Sequence, residues 1–146
     1  MSERGKAGPD LRFGGVVELF SGFRPGAWVY CGFVQRTVFE KIIAREIPSQ
    51  IVYEDDRVAA FHDVHSQAPT HILIVPKKPV ARIGEAGPED EALLGHLLLK
   101  AAQVAAQVGL GNGYRLVINN GRDGGESVPH LHCHILGGRP MSWPPG

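Results

Sequence analysis

The chain has 146 residues, 43% hydrophobic and 21% charged, with a formal net charge of zero. That is the size and composition of one soluble globular domain with a real core, and it lacks the basic excess of a nucleic-acid-coating protein. Two cysteines, Cys31 and Cys133, form no CxxC or zinc-ribbon pattern and are too few for a disulfide scaffold, so a reducing compartment is expected. No apolar run approaches the roughly 20 residues that span a bilayer.

Residues 1–36 hold seven of the 19 glycines and show no clear period. They read as a flexible N-terminal extension, with organelle targeting as the sharper alternative. The folded domain is expected over 37–146. Thr37 suits a helix N-cap, with Glu40 three residues on as in a capping box. Val38, Ile42 and Ile43 follow near helical spacing, and the helix should end before Pro48. Residues 50–54 and 57–62 flank Asp55-Asp56 and read as a hairpin. Residues 71–75 form a continuous apolar strand, stopped by Pro76 and Pro79.

The clearest helix is predicted over 88–108. Pro88 fits its first turn, Glu89, Asp90 and Glu91 its positive end, and Gly109 its stop. Leu93, Leu97, Ala101, Val104 and Val108 belong to one broad apolar face. A strand over 114–119, a glycine-rich loop over 121–127 and a strand over 130–136 complete the chain. Helix, three strands, helix and two strands predict an α+β fold: an antiparallel sheet of about five strands with two helices, both on one face.

The last strand carries the chemistry. Alternate strand residues share a face, so His130, His132 and His134 stand in a row about 6.5–7 Å apart, while Leu131, Cys133 and Ile135 face the core. Three imidazoles do not help a core, and burying each costs desolvation unless it finds a partner. Two chemistries fit. Imidazoles on a strand can bind zinc, although three collinear residues converge poorly on one ion. A histidine can also attack phosphorus while its neighbours set its tautomer and supply protons, which favours the middle residue, His132. The preceding Gly121-Arg122-Asp123-Gly124-Gly125-Glu126-Ser127 can turn backbone N–H groups toward an anion, though it lacks a P-loop ending. Ser127 adds a hydroxyl. Taken alone, His71 reads as a core histidine and Asp63 as a turn residue; His62, His65 and His96 carry no assigned role.

His130-Leu131-His132-Cys133-His134-Ile135-Leu136 resembles the histidine-triad motif, in which histidines alternate with apolar residues. Phe61-His62-Asp63, Gln67-Ala68-Pro69-Thr70-His71, Ile74-Val75-Pro76-Lys77-Lys78, Gly113-Tyr114-Arg115 and Trp143-Pro144-Pro145-Gly146 resemble the HINT branch of that superfamily. The resemblance covers roughly residues 37–146. It implies a HIT-like homodimer with the sheet continued across the interface, and hydrolysis of purine nucleoside phosphoramidates, adenosine 5′-monophosphoramidate or AMP-lysine, and of acyl-adenylates. It implies no metal and no cofactor.

By the same resemblance, His132 attacks the α-phosphorus to give a nucleotidyl-histidine that water resolves to AMP. His134 contacts phosphate and moves the proton; His130 and His71 support and polarise the triad. Asp63 binds the ribose hydroxyls and Val64 lies beside the base. Asn119, Gly125, Glu126, Ser127, His132, Cys133 and His134 match nucleotide-binding positions, and Trp143 reaches the partner's site. Pro129 departs from the branch, where an aromatic residue is frequent, and removes a backbone donor before the triad. Alternatives are a dinucleoside-polyphosphate hydrolase or nucleotidyltransferase, or a nucleotide-responsive scaffold. Neither nucleic acid nor membrane is an expected partner. The expected compartment is the cytoplasm, or a mitochondrion or other organelle if residues 1–36 act in targeting.

Overall fold

The computed structural model describes residues 35–145. Cys31 and nearly all of the N-terminal extension lie outside them. Helix α1 is Val38–Ile43 and helix α2 is Glu91–Gln107; the strands are β1 Ile51–Glu54, β2 Val58–His62, β3 Thr70–Pro76, β4 Tyr114–Val117 and β5 Cys133–Gly137. The sheet is antiparallel throughout, in the order β1-β2-β3-β5-β4. This is the five-stranded α+β architecture that the element order predicts. Among the described residues, no helix is long and apolar enough to cross a membrane.

The central strands explain the layering. Val58, Ala59, Ala60 and Phe61 of β2 are all buried, as are Ile72, Leu73, Ile74 and Val75 of β3. A strand buried on both faces reads as a continuous apolar run rather than an alternation. One face, with Val58, Ala60, Ile72, Ile74, Cys133 and Ile135, meets Leu93, Leu97, Ala101, Val104 and Ala105 of α2. The other, with Ala59, Phe61, Leu73 and Val75, meets Phe39 and Ile42 of α1. The two helices therefore cover opposite faces, not one face as expected.

Helix α1 is six residues long, too short to persist on propensity alone. Its start is secured by the predicted capping box: the Thr37 side chain accepts from the Glu40 N–H, and the Glu40 carboxylate accepts from the Thr37 N–H at 2.7 Å. Helix α2 is entered through a short 3-10 turn, Pro88–Asp90, and is followed by Gly109 at φ 82°, a conformation that favours glycine. Its outward side chains tie down the sheet edge. His96 Nε2 lies 2.8 Å from Asp55 Oδ2, Gln107 donates to the Val52 carbonyl, and the Lys100 ammonium sits over the Tyr53 ring. That gives His96 a structural place away from the triad.

Candidate active site

The histidines stand where β5 begins, on the α1 face of the sheet. The ladder starts at Cys133, not at residue 130 as predicted. Pro129 offers no N–H, Leu131 N–H turns to the Val80 carbonyl at 2.7 Å, and the carbonyl of Pro76, which ends β3, is taken by the His130 ring at 2.9 Å. The alternation of faces survives without the ladder. Leu131, Cys133 and Ile135 enter the α2 core. Phe39 of α1 packs edge-on against the rings of both His130 and His132, and the His132 and His134 ring centroids are 4.9 Å apart.

Hydrogen bonds assign each proton. His132 Nδ1 lies 2.8 Å from the His130 carbonyl, which can only accept, so Nδ1 carries the hydrogen and Nε2 keeps its lone pair. His130 Nε2 likewise donates to the Pro76 carbonyl, and its Nδ1 faces the Thr37 hydroxyl at 3.3 Å. His71 Nδ1 accepts the Gln67 N–H at 3.1 Å, so its hydrogen is on Nε2, which donates to His134 Nδ1 at 2.8 Å. His134 must then carry its hydrogen on Nε2. Among the described residues, that atom is the one buried side-chain nitrogen or oxygen without a hydrogen-bond partner. An unpaired buried donor is costly and marks where an acceptor is wanted.

Three of the imidazoles are held toward the neutral form. Burial pushes His134 down to about 4, and the neighbouring His132 and His71 add to the effect. Burial also lowers His71, against the opposing pull of Asp63, and lowers His130. Asp63 Oδ2 is 3.4 Å from His71 Nε2, and its other oxygen accepts the His65 N–H at 2.8 Å. Asp63, His71 and His134 bring one ligand atom each within 4.8 Å of the others. A metal there would need the His71 Nε2 lone pair, yet the Gln67 N–H holds the proton on that nitrogen. These residues fit a proton chain better than an ion.

A cavity of about 460 Å³ opens over the two triad histidines. Its apolar wall includes Phe39, Ile42, Ile47 and Phe61, and its polar side includes Asp63, Ser127, His132 and His134. Val64 lines its mouth and is 88% exposed. Of the residues singled out in the sequence, Asp63, Val64, Ser127, His132 and His134 come together around this space, while His71 and His130 stand behind it. Cys133 sends its side chain into the core, where burial raises the thiol to about 11. Gly125 lies in the glycine loop and Asn119 just before it, with the Asn119 amide donating to the Gly125 carbonyl at 3.4 Å. Trp143 is 85% exposed on this chain.

Three N–H groups of the glycine loop are taken up within the loop itself. Gly121 N–H donates to the Glu126 carboxylate, Glu126 N–H to the Gly121 carbonyl, and Gly125 N–H to the Arg122 carbonyl. Those three donors hold the loop's own shape. Sequence reasoning also passed over His62 and His65, which line the cavity, and Phe39, Thr37 and Gln67, which shape or orient the histidines. Thr37 was visible only as a cap, and Phe39 carried no signal of its own. Gln67 acts through a backbone N–H that no residue type advertises.

Comparisons with known proteins show the family. The family described as HIT domain matches residues 44–141. An uncharacterized HIT-like protein of Synechocystis sp. is 64% identical over 110 residues, covering 75% of this chain and 96% of its own. A HIT family hydrolase from Legionella pneumophila superposes with a TM-score of 0.74 at 47% identity, covering 76% of this chain and 100% of its own. A histidine triad nucleotide-binding protein from Candida albicans superposes with a TM-score of 0.64 at 30% identity, covering 75% and 83%.

Proposed function

We propose, from the premise that this chain belongs to the HIT-domain family, that it is a purine nucleoside phosphoramidase of the HINT branch. One observation carries the reading. His132, with its lone pair on Nε2, and His134, with an unpaired Nε2–H, line the same cavity, and each tautomer is fixed by a backbone group. A nucleophile and a proton donor side by side are what a phosphoryl-nitrogen bond requires.

In this reading the base lies against Phe39, Ile42 and Phe61, beside Val64, and the remaining lone pairs of Asp63 accept the ribose hydroxyls. Ser127 donates to a phosphate oxygen or the leaving group, with Asn119, Gly125 and Glu126 shaping the loop around it. His132 Nε2 attacks the α-phosphorus. The phosphorus–nitrogen bond breaks with its electron pair going to nitrogen, and the amine leaves with a proton drawn from solvent and passed on at His134 Nε2, which regains its own hydrogen in the exchange. Water then attacks the nucleotidyl-histidine, the bond to His132 breaks, AMP departs, and water's proton returns to the site. His130 and His71 act by holding tautomers. No step calls on a metal or cofactor. The Candida protein's description as nucleotide-binding supports the ligand class, and the Legionella protein's as a hydrolase supports the reaction class.

The test is AMP release from adenosine 5′-monophosphoramidate. His132→Ala and His132→Asn are expected to lose turnover by several orders of magnitude while keeping the native fold. Unchanged turnover in either variant overturns the reading. Faster hydrolysis of dinucleoside polyphosphates than of phosphoramidates by the wild-type protein redirects it to the polyphosphate branch.

The same reading includes a homodimer in which β4 pairs with a second copy and Trp143 approaches the partner's cavity. Strand β4 is an edge with one neighbour, Tyr114 on it is half-exposed, and Leu99 on α2 is 74% exposed. Open edges and exposed leucines are features that natural proteins cover.

A further inference from the structure

The glycine loop is gripped from a segment far from it in sequence. Arg82, in the stretch after β3, lays its guanidinium along the Glu126 carboxylate: Nε lies 2.9 and 3.1 Å from the two oxygens and Nη2 lies 2.9 Å from one. Gly121 N–H donates to the same carboxylate at 2.7 Å. Two residues further along that segment, Gly84 N–H donates to the Asn120 side chain at 2.7 Å, and a Cβ on Gly84 would meet that oxygen at 2.8 Å. Glu85 engages the outer end of the guanidinium. The Glu126 side chain is only 8% exposed, so its charge depends on this partner. Ser127 follows it directly and lines the cavity with His132 and His134.

We propose that Arg82 and Glu126 are a positioning pair for the phosphate side of the site: the forked ion pair fixes the loop that carries Ser127 and cancels a carboxylate charge that would otherwise face the bound phosphate. The inference rests on the nucleotide reading of the cavity. Two observations make it more than a scaffold contact. The Glu126 carboxylate belongs to the residue directly before Ser127, which lines the cavity with His132 and His134, and it stays ionised because Arg82 first and the Gly121 N–H next hold it down to about 2. The loop also spends three of its N–H groups, those of Gly121, Gly125 and Glu126, on its own shape, which leaves fewer to offset that charge. A planar guanidinium supplies both the geometry and the charge; a lysine supplies the charge alone.

The experiment uses the full chain, with AMP titration calorimetry beside steady-state hydrolysis of adenosine 5′-monophosphoramidate. Arg82→Gln leaves the carboxylate uncancelled and is expected to raise KM and the AMP Kd on the order of tenfold while kcat stays within about twofold. Arg82→Gln combined with Glu126→Gln removes the charge and keeps an amide pair able to hydrogen-bond. It is expected to lower both constants severalfold from those of Arg82→Gln alone. Arg82→Gln with wild-type KM and Kd, even with a lowered melting temperature, shows a scaffold contact only and overturns the proposal. A double variant as weak as the single one overturns the charge cancellation. If the wild-type protein neither binds AMP nor cleaves the phosphoramidate, the functional reading fails by itself. Amide exchange at Gly121 and Ser127 then decides the pair: acceleration in Arg82→Gln upholds the grip on the loop, and unchanged exchange overturns it.

Discussion

At the scale of single residues, the site is a set of proton assignments. His132 has its lone pair toward the cavity because the His130 carbonyl takes the other nitrogen's hydrogen. His134 presents an N–H because a backbone amide, through His71, leaves it no other tautomer. The lowered values of His71, His130 and His134 have a consequence for stability. In the unfolded chain these rings take protons below about pH 6.5; in the folded protein burial keeps them neutral, His134 down to about 4. The unfolded state therefore binds more protons in that window, and stability falls as pH drops through it. Thermal unfolding should show a flat melting temperature from pH 8 to 7 and a progressive decline from about pH 6.5 to 4. His71→Gln should flatten part of that decline; a slope identical to wild type would show that His71 does not contribute. The alternating histidines were legible in the sequence because nothing but a site explains three imidazoles in a row. Their tautomers were not, since Gln67 and Pro76 act through backbone atoms and Thr37 comes from the far end of the domain.

At the scale of elements, α1 deserves more weight than its six residues suggest. It closes one sheet face with Phe39 and Ile42 and places Phe39 against two triad rings. Phe39→Ala is expected to cost about 3–5 kcal/mol of stability and to weaken nucleotide binding, as denaturant melts and AMP titration would show. Wild-type affinity in that variant would exclude Phe39 from the base side of the cavity. The same scale holds the subunit question. If β4 and α2 meet a second copy, Leu99→Lys should lower the mass measured by light scattering toward that of one chain; an unchanged mass would place the leucine outside any interface. Element order, the capping box and the glycine stop after α2 were all readable from residue type and spacing. The start of β5 was not. A strand period at residues 130–132 describes which way side chains point, whereas the ladder depends on which partner carbonyls remain, and the His130 ring had taken the last one.

At the scale of the molecule, the two helices lie on opposite faces, a division invisible to a sequence reading that saw two amphipathic segments without the sheet between them. The clue was present in β2 and β3, whose unbroken apolar runs leave no face for water. Leu97, 1% exposed, belongs to the α2 side alone. Leu97→Ala is expected to lower stability by about 2–5 kcal/mol with KM for the phosphoramidate unchanged at temperatures where the variant stays folded. A raised KM there would mean that the faces are mechanically joined.

That division makes the sheet a partition between two kinds of selection. Residues under α2 answer to folding alone, and residues under α1 answer both to folding and to whatever occupies the cavity. Changes on the two sides share few neighbours, so their effects should add rather than interact. A lineage, or an engineer, could recut the apolar cavity wall at Ile42 or Ile47 for a new ligand and offset the cost by repacking around Leu97 or Val104, without one adjustment undoing the other.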